Sequence, residues 1–381
     1  MADQEPQSHK SNPPAGRPIH GGVRPAQIRA LGLRPEQVVD FSASVSPIGP
    51  PEGLWDALRK VDLSSYPDPQ CLELRESLCR HLSKTVSPEH ILMGNGSTEI
   101  IHLLARAYLS PPRAGTVNTM LQLTPTYGEY EGACRLAGAA TSNAAAKPCP
   151  WFRWDMAEVA SQVTRERPSL VFLCNPNNPT GVFLDSREIE TLAQAVAATG
   201  GLLVIDEAYI SFVDDAWDSL GLALGSNVVL VRSMTKDYAL TGLRLGYALA
   251  SEQIIARLAA FQPDWSVNGL AQAAGLVALA DTNYLPRARK AVTQAKEFLA
   301  DRLAGLGLTV HPSSANFLLV NVGEGGFWHD NLMRRGIFVR DCTSFGLPEH
   351  IRVGVRSLDD CRRLVEAMEE IFLLAEPPLG G

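Results

Sequence analysis

Three short polar motifs in this chain follow apolar runs and carry residue types that can do chemistry. Ser233-Met-Thr-Lys236 comes after the apolar run 228–231. Ser-x-x-Lys is shared with serine acyl-enzymes, but that chemistry also uses Ser-Asp-Asn and Lys-Thr-Gly, and neither occurs here. The other use of Lys236 is as an imine-forming amine, because desolvation near other cations lowers a lysine pKa. Arg244, in Thr-Gly-Leu-Arg-Leu-Gly, follows as a second cation for the same anion. Gly94-Asn-Gly96-Ser97-Thr98 lies between a strand-like and a helix-like run. Its glycines admit an anion to the backbone, and the helix start offers free N–H groups. It lacks the third glycine of a dinucleotide fingerprint, and alone it reads equally as a plain strand-to-helix turn. Asp206 ends the apolar run 202–205, where an acid can bind a metal, act as a base, pair with a buried cation or cap a helix.

These residues need a scaffold. The runs 170–174, 202–205 and 228–231 are continuously apolar, as buried strands are, and a helical pattern covers 187–198. Residues 90–93 are strand-like and lead through the glycine motif into an apolar helix at 100–109, and 121–123 is another strand candidate. Helices are predicted over 51–61 and 71–82. The alternation predicts an α/β fold with a mostly parallel sheet covered on both faces. Ligands of such sheets sit beyond the C-terminal strand ends, where the polar motifs fall. A helix at 284–303, strand-like runs at 317–320, 336–340 and 351–355, and a helix at 359–374 predict a smaller α+β unit. The Ala-rich stretch 133–146 is assigned no function.

Composition narrows the classes. The chain has 381 residues, 45% hydrophobic and 20% charged, which excludes a disordered or fibrous protein. A net charge of −7 argues against a nucleic-acid binder, which needs a basic footprint. The seven cysteines are scattered, with no Cys-x-x-Cys and no zinc spacing, so free thiols in a reducing compartment and no metal site are expected. Residues 1–18 are polar and Pro-rich without the apolar stretch of a signal peptide, and no run of 18 apolar residues predicts a membrane span. A cytoplasmic protein is the expectation.

Taken in order, the glycine turn, Tyr127, Asn178 in Asn-Pro-Asn-Asn-Pro-Thr-Gly, Asp206 with Tyr209, Ser233 with Lys236, and Arg244 form one series. The series resembles the fold-type I pyridoxal-phosphate enzymes of the class I/II aminotransferase superfamily, over about residues 20–372. The resemblance implies pyridoxal 5′-phosphate as cofactor. It implies that Gly96, Ser97, Thr98, Ser233 and Arg244 hold the cofactor phosphate and that Asp206 keeps the pyridine nitrogen protonated. Asn178 and Tyr209 would donate to the phenolic oxygen, Tyr127 would stack on the ring, and Lys236 would form the imine and then move protons. Tyr66, in Tyr-Pro-Asp, matches a tyrosine that reaches the partner subunit's cofactor phosphate, so a homodimer follows. The implied organisation is a flexible arm at 1–18, a segment 19–64 joining the small domain, a large cofactor-binding domain at 65–265 and a small C-terminal domain at 266–381.

Within the superfamily, His20-Gly-Gly, Asp40-Phe-Ser-Ala and Trp265-Ser-Val-Asn look like the threonine-phosphate decarboxylase branch of cobalamin biosynthesis. Ala315-Asn-Phe-Leu-Leu, Val339-Arg-Asp-Cys and Ile351-Arg-Val-Gly-Val-Arg are shared more loosely with histidinol-phosphate aminotransferase. Either resemblance implies a phosphorylated amino compound held by Arg340, Arg352 and His20, with Asn178 on the substrate side as well. For Arg356 a structural role is the equal expectation. Ser44 stands where the branch has a substrate-contacting asparagine, and Val23 where it often has asparagine. The resemblance implies decarboxylation of L-threonine O-3-phosphate, with a histidinol-phosphate-type aminotransferase as the alternative.

Overall fold

In the computed structural model the described residues are 19–110, 118–149, 151–225 and 227–375, so the arm expected at 1–18 lies outside them. The strands in chain order are β1 (Val39–Asp40), β2 (Ile91–Asn95), β3 (Thr119–Thr124), β4 (Ala140–Ala145), β5 (Leu170–Cys174), β6 (Leu202–Asp206), β7 (Val228–Ser233), β8 (Leu245–Leu249), β9 (Thr309–Val310), β10 (Phe317–Asn321), β11 (Ile337–Phe338), β12 (Arg340–Asp341) and β13 (His350–Gly354). Seven of them form one sheet in the order β2-β8-β7-β6-β5-β3-β4. Its neighbours from β7 to β4 run parallel, while β8 is antiparallel to both β2 and β7.

The continuous apolar runs are explained by burial on both faces. Leu170, Phe172, Leu202, Val204, Val229 and Val231 pack with Ile100 and Leu104 of helix Gly96–Leu109. The alternate residues Val171, Leu173, Leu203, Ile205, Val228 and Leu230 pack with Val163 of helix Met156–Glu166 and Leu192 of helix Ser186–Thr199. Successive side chains of a strand point to opposite faces, so one run feeds two cores.

A second sheet, β12-β13-β10-β9, is antiparallel. The run 336–340, expected as one strand, is two. Its first half, β11, pairs in parallel with β1, and its second half, β12, joins β13. This pairing draws the N-terminal segment alongside the smaller sheet, and the segment continues to Lys236 just beyond β7, where the Ser46 amide donates to the Lys236 carbonyl at 2.9 Å. Four strands went unforeseen, the two-residue β1 and β9 and the longer β4 and β8. Helix Leu358–Ala375 closes the chain. β4 is the Ala-rich stretch, a half-exposed edge strand beside β3. β8 begins immediately after Arg244, and a Cβ at its Gly246 would stand 2.5 Å from the Ser97 amide nitrogen. Glycine there lets β8 run against the start of the helix.

Candidate active site

The C-terminal ends of β5, β6 and β7 and the start of helix Gly96–Leu109 face one cavity of about 890 Å³. The opposite wall comes from residues 19–23, from 40–45 and from arginines of the smaller sheet.

On the large-sheet wall the polar groups are tied to one another. Lys236 sits in the short helix Met234–Asp237 directly after β7. Burial pushes its amine below the ordinary value; Asp206 pulls it back, and Arg244 and Arg352 push it further down. Its Nζ lies 5.4 Å from the centre of the Tyr209 ring. Asp206, the last residue of β6, accepts the Ala208 amide at 3.0 Å on Oδ1 and the Tyr130 hydroxyl at 2.7 Å on Oδ2. Burial raises the Asp206 pKa, and the Tyr130 bond and the Lys236 charge oppose the rise. Tyr130 is fixed in turn by stacking on Phe172 at 4.8 Å and by an edge contact with Tyr127 at 5.6 Å. The Tyr127 hydroxyl is pushed up to about 12, first by burial, with a Thr98 hydrogen bond opposing.

At the helix start Gly96 has φ 76°, and a Cβ there would stand 2.6 Å from Arg244 Nη2. Glycine therefore lets a guanidinium rest on a helix N-terminus, two positive features that need an anion between or beside them. Arg244 itself holds φ 59°, a left-handed backbone that costs a non-glycine residue energy.

The other wall is unlike this. Arg340 and Arg352 are register partners across β12 and β13, both buried. Like charges directly opposite on a ladder repel, and neither arginine has a carboxylate partner among the described residues. Burial, then the Arg352 charge, holds Arg340 below its ordinary value. Arg340 donates to the Asp341 and Ile19 carbonyls, each at 2.9 Å, and to Ser344 Oγ at 2.5 Å. Arg352 donates through Nη1 to Asn178 Oδ1 and through Nη2 to the Ser42 carbonyl at 2.7 Å, which leaves its buried Nε without a partner. The buried Ser44 hydroxyl is unpartnered too, while Arg356 Nε has no hydrogen bond but lies 4.0 Å from Asp360 Oδ2.

Of the residues singled out in the sequence, His20, Ser44, Ser97, Thr98, Tyr127, Asn178, Asp206, Tyr209, Lys236, Arg244, Arg340 and Arg352 all line the cavity. Gly96 lies behind Arg244. Ser233 is just behind the wall, its hydroxyl 2.6 Å from that of Thr235, which does line the cavity. Among the described residues the Ser233 hydroxyl bonds only that of Thr235 and meets no base, which removes the acyl-enzyme reading. Tyr66 is 79% exposed, outside its own chain's cavity, and stacks on Trp265 at 4.5 Å. Arg356, expected as readily to be structural, lines the cavity. Sequence reasoning missed Thr235, Glu129, His102 and Tyr130. His102 had a signal, because it stands four residues after Thr98 and shares its helix face; the others are brought in by tertiary packing alone.

The residues fit a flat, phosphorylated aromatic aldehyde. A buried amine of lowered pKa, an acid held by two donors, a stacking ring and a cationic helix start cradled on Gly96 are the groups such a cofactor uses. They define the site of a fold-type I pyridoxal-phosphate enzyme. The chain belongs to the aminotransferase class I and II family, whose model matches residues 36–368. It is 35% identical to the histidinol-phosphate aminotransferase of Symbiobacterium thermophilum, over 90% of this chain and 92% of that one. It is 32% identical to a protein of Caldanaerobacter subterraneus subsp. tengcongensis named provisionally as a threonine-phosphate decarboxylase, over 87% of this chain and 89% of that one. Among solved structures, histidinol-phosphate aminotransferase from Sinorhizobium meliloti in complex with pyridoxal-5′-phosphate superposes with a TM-score of 0.83 at 26% identity, covering 93% of this chain and 96% of that one. The cofactor of this enzyme is pyridoxal 5′-phosphate. The branch expected from the sequence is not separated by these identities, since relatives of both activities match at similar levels. Among the described residues no helix is long and apolar enough to cross a membrane.

Proposed function

We propose that this enzyme decarboxylates L-threonine O-3-phosphate to (R)-1-amino-2-propanol O-2-phosphate and carbon dioxide. The observation that carries the reading is the buried Arg340–Arg352 pair, which faces the cavity with no carboxylate of its own. Two uncompensated buried cations call for an anionic ligand, and a planar guanidinium holds a phosphate or carboxylate through paired hydrogen bonds. His20, Ser44 and Asn178 complete the substrate side. When bound, the cofactor supplies an electron sink for the charge left at the substrate's α-carbon as a bond there breaks.

The chain's own groups do the rest. Ser97, Thr98, Arg244 and the Gly96 turn hold the cofactor phosphate, with Ser233 supporting Thr235 behind them. Asp206, held by Tyr130 and the Ala208 amide, keeps the ring nitrogen protonated. Asn178 and Tyr209 donate to the phenolic oxygen, and Tyr127 stacks on the ring. Lys236 tethers the cofactor and, with its amine pKa lowered by burial, moves a proton at the α-carbon. If the arginines hold the phosphate and leave the carboxylate perpendicular to the cofactor ring, the bond to the carboxylate breaks and the α-carbon takes up a proton. In the proposed homodimer Tyr66, exposed on its own chain, reaches the partner subunit's cofactor phosphate.

A second reading, a histidinol-phosphate-type aminotransferase, is favoured by the 35% identical relative and by Ser44 in place of asparagine. In that reading the arginines would hold the phosphate of histidinol phosphate, which has no carboxylate to lose, or a carboxylate of glutamate, and the α-proton leaves instead. The test of the first reading is release of carbon dioxide from L-threonine O-3-phosphate without any keto acid. Unphosphorylated L-threonine is expected to be turned over far more slowly. Equal turnover of the two would contradict the arginine-bound phosphate.

A further inference from the structure

Glu129 opens helix Glu129–Leu136, is 9% exposed, and uses both carboxylate oxygens on imidazoles. Oε1 meets His20 Nε2 at 2.6 Å and Oε2 meets His102 Nε2 at 3.2 Å. All three residues line the cavity, yet they come from three elements. His20 lies in the segment ahead of the first helix. His102 is on the helix whose first turn carries Ser97 and Thr98. Glu129 starts the helix that follows Tyr127. The bonds from His102 and His20 hold the Glu129 carboxyl down at about 2, so it is ionised and can only accept. Each ring must then carry a hydrogen on Nε2, which leaves Nδ1 as the nitrogen available to a substrate. No described residue bonds the Nδ1 of His20 or His102.

The rest of the strap at 19–23 is tied through its backbone. The Gly22 amide donates to Ser42 Oγ at 2.7 Å, the Val23 amide to Asp40 Oδ2 at 3.3 Å, and the Ile19 carbonyl accepts from Arg340 at 2.9 Å. None of these fixes the His20 ring, whose side chain is 43% exposed. A ring that open would visit several rotamers without a partner. Glu129 selects one, which sets the ring 5.5 Å from Tyr127.

We propose that Glu129 is a positioning residue whose two-imidazole clasp fixes His20, and with it the strap 19–23, across the substrate side of the cavity, so that His20, carrying a hydrogen on both ring nitrogens when the anion is bound, donates to the substrate's anionic group from Nδ1. The substrate half of this inference rests on the phosphorylated-substrate reading above; the clasp itself does not.

The test compares holoenzyme with Glu129→Ala, His20→Ala and the double variant. Hydrogen–deuterium exchange without substrate reads the clasp. Amides of the strap are expected to exchange about tenfold faster in Glu129→Ala, the scale of one lost charged hydrogen bond. Amides of helix Glu129–Leu136 should stay at the wild-type rate, and Glu129→Gln, similar in shape, should fall between. With L-threonine O-3-phosphate, KM should rise about tenfold or more in Glu129→Ala with kcat within about threefold. The double variant should be no worse than His20→Ala, because Glu129 acts through that ring. Unchanged strap exchange, or losses that simply add in the double variant, would overturn the proposal. Exchange is read without substrate, so a failed decarboxylation assay and a failed clasp give different results.

Discussion

The two walls of the cavity hold charge in opposite ways. On the large-sheet wall the acid and the rings have internal partners: Asp206 has Tyr130 and Ala208, Tyr127 has Thr98, and Tyr130 has Phe172. On the smaller-sheet wall Arg340 faces Arg352, and Arg352 Nε and Ser44 Oγ are left without partners. Buried polar groups without partners are costly, and where they cluster around a cavity a ligand can satisfy them. In the proposed function the paired wall holds the resident cofactor, and the unpaired wall takes an anion that comes and goes. The sequence departures follow the same division, since Ser44 and Val23 both lie on the substrate side.

The comparison breaks first at Lys236. Lys236→Ala should lose the visible absorption of the lysine-linked cofactor and lower turnover by about a thousandfold or more; a variant with full activity would refute its role. Next comes Arg340→Gln, which removes a cation from the unpaired wall only, since Arg340 bonds Asp341, Ile19 and Ser344 and no cofactor-side group. KM for a phosphorylated substrate should rise about tenfold to a hundredfold with the cofactor spectrum unchanged, and an unchanged KM would place the anion clamp elsewhere. Tyr130→Phe acts on the paired wall alone. It removes the bond that opposes the burial-driven rise of Asp206, so the carboxylate protonates at higher pH and the acid limb of the pH–rate profile moves upward. Cofactor affinity should fall about tenfold and KM should stay near wild type; a raised KM with normal affinity would blur the two walls.

The smallest effect belongs to neither wall. His311 and His350 meet Nε2 to Nε2 at 3.1 Å, against Phe152 at 5.2 Å and 5.8 Å. Burial, then the neighbouring His350, lowers His311 from 6.5 to about 4. The unfolded chain therefore binds more protons than the folded one below about pH 6.5, so stability is full above that pH and is lost as pH falls toward 4. By pH 5 the loss is of the order of 2 kcal/mol. Thermal unfolding at pH 7.5 and pH 5 should show it, and His311→Phe should shrink the difference while leaving KM unchanged.

Much of the scaffold was legible because burial writes itself into the chain. β5 was read to the residue, since five consecutive apolar side chains between turn signals fit a strand buried on both faces. β8 was hidden because Gly246 and Tyr247 interrupt its apolar run, and the glycine is there for the Ser97 amide. β4 was hidden because an edge strand of Ala, Thr, Ser and Asn buries too little to show a pattern. In the site, Lys236, Asp206 and Arg244 were visible because strand ends place them. The facing of Arg340 and Arg352 was not, because it depends on the register of a ladder between runs separated in the chain. The Glu129 clasp likewise joins residues with no spacing relation to one another.

The most direct measurement is a two-arm assay on one preparation of cofactor-loaded enzyme. One arm holds L-threonine O-3-phosphate with no keto acid and records carbon dioxide. The other holds L-histidinol phosphate with 2-oxoglutarate and records glutamate. The arginine-bound phosphate and freely placed carboxylate proposed here predict carbon dioxide in the first arm, with little or no glutamate in the second. Glutamate in the second arm and silence in the first would contradict it and make this enzyme an aminotransferase.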